Sequence, residues 1–199
     1  QSAIGCLDLS LEALDSGRDP KRYLEVVCEA LQRSANIVGQ LRSLHRQLRV
    51  EERYPVDLAG LLERVLVLSQ RKCETHGVAV SLQVAADLPL MNLQGDAIQQ
   101  VCLNLVLNAV DAMPHGGELR ITMEHNSEPE GVWIRFADTG VGLPPEVREH
   151  LFEPFHSTKA EGLGLGLFIS QNIVQQHNGQ IEFDSREGEG TTFSLWLPA

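Results

Sequence analysis

Several groups of residues in this chain could do chemistry. In Val101-Cys102-Leu103-Asn104-Leu105-Val106-Leu107-Asn108-Ala109-Val110-Asp111-Ala112-Met113 the helical period places Asn104, Asn108 and Asp111 on one face, with Gln100 one turn earlier. The remainder of that segment is apolar and suited to burial. Burying amides without partners costs about 1–3 kcal/mol each, so the stripe must face something that uses its oxygens. A metal-bound polyphosphate is one such partner; neighbouring backbone and buried water are others.

Downstream, Val132-Trp133-Ile134-Arg135-Phe136 runs as a strand into Ala137-Asp138-Thr139-Gly140-Val141-Gly142. A carboxylate at a strand end, followed by two glycines, lets backbone pass close to a flat ligand. Asp138 can then accept from an exocyclic amine such as that of adenine. The same spacing also suits a plain turn. Gly162-Leu163-Gly164-Leu165-Gly166 opens a helix, where exposed amides and the positive dipole end make a phosphate site, although alternating glycine and leucine also suits a hinge. It lacks the Gly-Lys-Ser/Thr ending of a Walker loop and the strand lead-in of a dinucleotide turn. Between these blocks, Phe152-Glu153-Pro154-Phe155-His156-Ser157-Thr158-Lys159 offers aromatics that anchor a segment and a lysine that can reach a terminal phosphate.

These residues need a frame. Apolar residues recur at Ile4, Leu7, Leu11 and Leu14; Ser16-Gly17-Arg18-Asp19-Pro20 supplies a stop and a proline-led restart. A second 3-4 pattern follows at Leu24, Val27, Leu31, Ser34, Val38, Leu41, His45 and Leu48. Two helices joined by a short turn make an antiparallel hairpin, which pairs with a second copy in a four-helix bundle to cover its seams. His45 lies on that seam and reads as an interface residue rather than a phosphoacceptor.

Beyond Glu51-Glu52-Arg53-Tyr54-Pro55 the pattern changes to alternating helices and strands. Asp57 is expected to cap a helix through about Glu74, and Asp96 with Gln99 to form a capping box that opens the asparagine helix. A further helix is expected from Gly166 to His177, closed by Asn178-Gly179. Strands are expected at Val78–Val84, Glu118–Glu124, Val132–Asp138, Gln180–Asp184 and Thr192–Leu197. The mixture predicts an α+β arrangement, one sheet with helices on one face, with domains at 1–53 and 54–199.

With 199 residues, 43% of them hydrophobic, the chain can bury one sizeable core plus a smaller helical element. Its net charge of −11 argues against a nucleic-acid groove or an anionic membrane surface as main partner, so a bound phosphate must be met locally. Cys6, Cys28, Cys73 and Cys102 form no Cys-x-x-Cys pair and read as reduced thiols of a cytoplasmic protein, not as a zinc site or disulfide framework. No apolar run is long enough to span a bilayer. The chain opens at Gln1 inside a helical pattern, which reads as part of a longer protein.

Taken in order, the asparagine helix, Asp-x-Gly-x-Gly, Phe-x-Pro-Phe-x-x-Thr-Lys and the Gly-x-Gly-x-Gly helix opening resemble the N, G1, F and G2 boxes of the sensor histidine kinases. The resemblance covers about Tyr54 to the end, including Gly190-Thr191-Thr192-Phe193. It implies a two-layer α+β sandwich of the Bergerat type that binds ATP and Mg²⁺. In that scheme Asn108 holds the metal, while Asn104 and Asp111 lie along the same stripe beside the phosphates. Asp138 reads the adenine amine, Gly140 and Gly142 admit it, and Thr191 assists. Lys159, with the amides around Gly162, Gly164, Leu165 and Gly166, covers the triphosphate as a small lid.

The hairpin resembles the family's dimerisation and phosphotransfer domain, implying a homodimer and a response regulator receiver domain as partner. Related ATPases carry a glutamate one turn before the metal-binding asparagine. Here that position is Asn104, and an amide is no general base, which favours phosphotransfer to histidine over hydrolysis. The family's accepting histidine precedes a run that Gln1-Ser2-Ala3-Ile4 continues, so the expectation is that this chain alone does not phosphorylate itself. The competing readings are a non-catalytic nucleotide-binding dimerisation module and an ATP hydrolase.

Overall fold

The computed structural model describes residues 2–16, 19–24, 26–27, 52–156 and 164–199. The chain falls into two compact units, Gln1–Arg49 and Val50–Ala199. In the first, helix α1 (Ser2–Asp15) stops where the Ser16 amide and hydroxyl both close on Glu12 O. The restart is capped by Asp19, whose Oδ1 accepts from Lys21 N at 2.9 Å, and Pro20 O takes the amides of Tyr23 and Leu24. Residues 21–24 and 26–27 are helical; the rest of the predicted second helix, with His45, lies outside the described residues. Ser10 and Ala13 form the buried side of α1, whereas Leu11 and Leu14 of the predicted seam are exposed.

In the second unit, β1 (Tyr54–Val56) leads into α2 (Leu58–His76), capped by Asp57 through Ala59 N and closed by Gly77 in the left-handed region. Then come β2 (Val78–Val84), β3 (Met91–Leu93), α3 (Gly95–Asp111), β4 (Gly117–Ser127) and β5 (Glu130–Asp138). A short α4 (Pro145–Arg148), α5 (Gly166–Gln176), β6 (Gln180–Arg186) and β7 (Gly190–Pro198) complete it. Strands β1 and β3 pair as a small antiparallel ribbon. The main sheet has the order β2-β4-β5-β7-β6, parallel between β2 and β4 and antiparallel elsewhere.

Strand period and register explain the layering. Met123, Ile134 and Leu195 lie in one row across β4, β5 and β7, and Ile121, Phe136 and Phe193 in the next, all buried. That apolar face packs beneath the helices, with α3 central between α2 and α5. Val101, Cys102, Leu105 and Val106 are fully buried on α3, and burial pushes the Cys102 thiol up to about 12. The mixed sheet with helices on one face is the expected α+β sandwich.

One local expectation needs correction. Helix α3 opens at Gly95 with Gln94 as N-cap, and Asp96 lies inside the first turn rather than capping it. The Gln94 amide is instead held by His177 Nε2 at 3.1 Å, so a contact from the end of α5 fixes the start of α3.

Candidate nucleotide site

The same strand register delivers a carboxylate into the interior. Val132, Ile134, Phe136 and Asp138 alternate onto the helix face of β5, so Asp138 stands at the end of an apolar row, only 7% exposed. Its Oδ1 accepts from Gly140 N at 2.9 Å and Thr191 N at 3.2 Å. Oδ2 makes no hydrogen bond among the described residues and is the acceptor left for a ligand. Burial raises the Asp138 carboxyl above its ordinary value, and the amides of Gly140 and Thr191 pull it back.

The loop after Asp138 is fixed from several sides. Val141 N donates to Ala112 O at the end of α3 at 3.0 Å, and Val141 O accepts from Gly188 N at 2.8 Å. Leu143 N donates to Ser185 Oγ at 2.9 Å. A Cβ at Gly140 would stand 2.5 Å from Ala112 O, and one at Gly142, where φ is +68°, 2.0 Å from Arg186 O. These glycines let the loop close onto α3 and the β6–β7 turn. Ser185 carries much of this arrangement: buried, it donates to Gly190 O at 3.1 Å and meets Thr191 Oγ1 at 2.9 Å. Sequence reasoning missed Ser185, because only the pairing of Ser185 with Thr191 across β6 and β7 reveals it.

On α3 the polar stripe divides. Asn104 turns toward α5: its Nδ2 donates to Ser170 Oγ at 3.0 Å, and Ser170 Oγ in turn donates to Gly166 O at 2.9 Å. A Cβ on Gly166 would meet Asn104 Oδ1 at 2.5 Å, so the absence of a side chain there lets α5 begin against the asparagine. Asn108, one turn on, is half-buried. Asp111 pairs with Lys72 of α2, giving that carboxylate a cationic partner within the helical layer.

Gly164 (φ +66°) and the buried Leu165 precede α5, and Gly164 O accepts from Phe155 N at 3.2 Å. Phe152 packs edge-on against Phe183, ring centroids 6.0 Å apart. Lys159 and Gly162, expected over the phosphates, lie outside the described residues. The structure thus brings Asp138, Gly140, Gly142 and Thr191 together at one end of the sheet, and seats Asn104 against Gly166 at the start of α5. Among the described residues no helix is long and apolar enough to cross a membrane.

Comparison with known proteins agrees with this frame. Residues 94–199 match the family model of the histidine kinase-, DNA gyrase B-, and HSP90-like ATPase. The sensor histidine kinase ZraS of Escherichia coli (strain K12) is 33% identical over 187 residues, which span 94% of this chain and 40% of ZraS. The chain therefore covers less than half the length of that relative. Full-length ShkA in complex with AMPPNP superposes with a TM-score of 0.77 at 26% identity, over 90% of this chain and 38% of ShkA. Histidine kinase ThkA in complex with the response regulator protein TrrA gives 0.72 at 27% identity, over 89% of this chain and 51% of ThkA. The chain belongs to the histidine kinase-, DNA gyrase B- and HSP90-like ATPases, on the sensor histidine kinase branch.

Proposed function

We propose that this chain is the ATP-dependent kinase core of a two-component signalling protein, binding Mg-ATP and passing the γ-phosphate to a histidine, from which it moves to a response regulator aspartate. Residues 54–199 form the catalytic domain in this reading, and 1–53 the hairpin that dimerises and takes part in phosphotransfer. The setting is cytoplasmic.

The single observation that carries the reading is Asp138. A buried carboxylate with one oxygen held by two backbone amides and the other left open is a preorganised acceptor for an exocyclic amine. The free oxygen is not among the sealed-off polar atoms of the interior, so a ligand can reach it. The donor set therefore fits adenine. Gly140 and Gly142 let the loop beside it close tightly onto Ala112 and Arg186, and Thr191 is buried and bonded to Ser185 behind the carboxylate.

Asn108 would hold Mg²⁺ through its amide oxygen, the hard donor that ion prefers. When bound, the metal supplies neutralisation of phosphate charge. Asn104 holds the start of α5 through Ser170, and the first amides of that helix would meet the phosphate oxygens. In this reading Lys159 and Gly162 would supply further contacts to the phosphates. Hydrolysis is the weaker reading, because the turn before Asn108 carries an amide engaged with Ser170 rather than a carboxylate that could draw a proton from water.

The test is calorimetric titration with Mg-ATP, followed by incubation with a separately supplied hairpin carrying an acceptor histidine. Wild type should bind nucleotide and label the hairpin with acid-labile phosphate, and Asn108→Ala should lose both. Binding without labelling supports the non-catalytic module. Multiple-turnover phosphate release without an acceptor supports the hydrolase.

A further inference from the structure

A second group of ligating side chains lies in and just before the block at residues 152–159, at positions to which no nucleotide contact is assigned. His150, Glu153 and His156 follow one another at three-residue intervals, and one ligand atom from each lies within 4.8 Å of the others. His150 Nδ1 is 3.0 Å from Glu153 Oε1, and His156 Nε2 is 3.4 Å from Glu153 Oε2. The two imidazoles stack with centroids 5.1 Å apart and 23° between their planes, which holds both rings beside one carboxylate.

We infer that His150, Glu153 and His156 form a binding site for a divalent transition-metal ion of zinc's class, held by two imidazole nitrogens and one carboxylate oxygen with water completing the shell. The spacing is the first argument. Tetrahedral zinc with ligand distances of about 2.0–2.1 Å needs its donor atoms roughly 3.3–3.4 Å apart. His150 approaches one oxygen of Glu153 at 3.0 Å and His156 the other at 3.4 Å, and with one donor atom from each residue within 4.8 Å of the others, rotation of the exposed side chains brings the set onto one ion.

The backbone is the second argument. Glu153 N donates to His150 O at 3.0 Å, a turn that sets the first two ligands side by side. The turn is anchored on one side by Phe152 against Phe183, and on the other by Phe155 N bonded to Gly164 O. The ligands thus sit on a segment fixed at both ends, which lowers the cost of ordering them around an ion.

Donor chemistry is the third argument. Imidazole suits zinc, copper, nickel and cobalt, whereas magnesium takes carboxylate, carbonyl and water oxygens. This site and the proposed magnesium position at Asn108 therefore select different ions. Among the described residues Cys73 and Cys102 are buried and Cys6 is half-buried, so the cobalt spectrum is the readout that separates imidazole from thiolate ligation.

The experiment is titration of nucleotide-free protein with Zn²⁺ by calorimetry, and with Co²⁺ by visible absorption, both in excess Mg²⁺. Wild type should bind one ion per chain and give the visible bands of nitrogen- and oxygen-ligated cobalt. His150→Ala and His156→Ala should each weaken binding by roughly tenfold to a hundredfold, the loss seen when even a supporting residue of a metal site is removed. His115→Ala, an exposed histidine elsewhere, should behave as wild type. Thermal melts confirm that the variants fold. The inference is overturned by absence of binding, by affinity unchanged in both His150→Ala and His156→Ala, or by a thiolate charge-transfer band that puts the ion on a cysteine.

Discussion

Replacing Asp138 by asparagine should separate nucleotide recognition from folding. The side chains are nearly isosteric. The amide oxygen can take the place of Oδ1 and keep the bonds from Gly140 N at 2.9 Å and Thr191 N at 3.2 Å. The amide nitrogen then occupies the place of Oδ2, so a donor faces the exocyclic amine of adenine where an acceptor stood. Losing a hydrogen bond to a charged acceptor costs about 1.5–3 kcal/mol, which is roughly tenfold to 150-fold in affinity.

The fold should not suffer in proportion. Burial disfavours the charged form of Asp138, and a neutral amide removes that penalty while retaining the two backbone bonds. The expected result by calorimetry is weak ATP binding with an unchanged or raised melting temperature in the absence of nucleotide. A 6-oxopurine triphosphate, which presents an acceptor at the same ring position, should recover part of the affinity in Asp138→Asn. Wild-type ATP affinity in this variant would refute the assignment of Oδ2 as the adenine acceptor. Loss of ATP binding with a collapsed melting temperature would refute the claim that the carboxylate is held for the ligand rather than for the fold.

Two further substitutions probe the frame. Gly142→Ala places a methyl 2.0 Å from Arg186 O at φ +68°, whereas Gly188→Ala meets nothing within 4 Å at φ +81°. Gly188→Ala should therefore cost about 1–2 kcal/mol from backbone strain alone, and Gly142→Ala about 1–3 kcal/mol more from overpacking, read by denaturant unfolding; equal losses would contradict the close approach. His177, buried and neutral, donates from Nδ1 to Ile173 O and accepts from Gln94 N. Its folded value is lowered by burial, and by the charge of Arg53 against the bond to Ile173, so its contribution is complete above the unfolded value of about 6.5 and fades as pH falls below it. His177→Phe should lose about 1–3 kcal/mol at neutral pH by leaving the Gln94 amide without its acceptor, and should flatten the acid limb between pH 7 and 5; an acid limb as steep as wild type would remove His177 as its source.

Long periodic segments declared themselves locally. Helix α2 needs only its apolar period, the Asp57 cap and Gly77, and strands β4, β5, β6 and β7 alternate in burial along their own length. Strands β1 and β3 escaped, because three residues are too few for a period and their pairing of Tyr54 with Leu93 joins distant segments. The start of α3 was misplaced for the same reason, since a histidine some eighty positions away decides it. Asp138 and its glycines were legible as a spaced motif, but Ser185 was not. A serine in a strand looks like any solvent-facing residue until the register sets it opposite Thr191.

Asn104 shows how one residue type can serve two ends within a single stripe. An asparagine offers both a donor and an acceptor, and at Asn104 the donor is committed to Ser170 while the oxygen lies against the backbone of Gly166. A glutamate there would bring a longer, charged side chain against that backbone and offer no donor to Ser170. Its carboxylate could accept from the serine hydroxyl only if that hydroxyl released Gly166 O. Gaining a base at this position would therefore loosen the start of α5, the element proposed to present amides toward the phosphates. The amide at Asn104 and the glycine at Gly166 are one structural choice, in which contact between two helices takes the place of a proton acceptor.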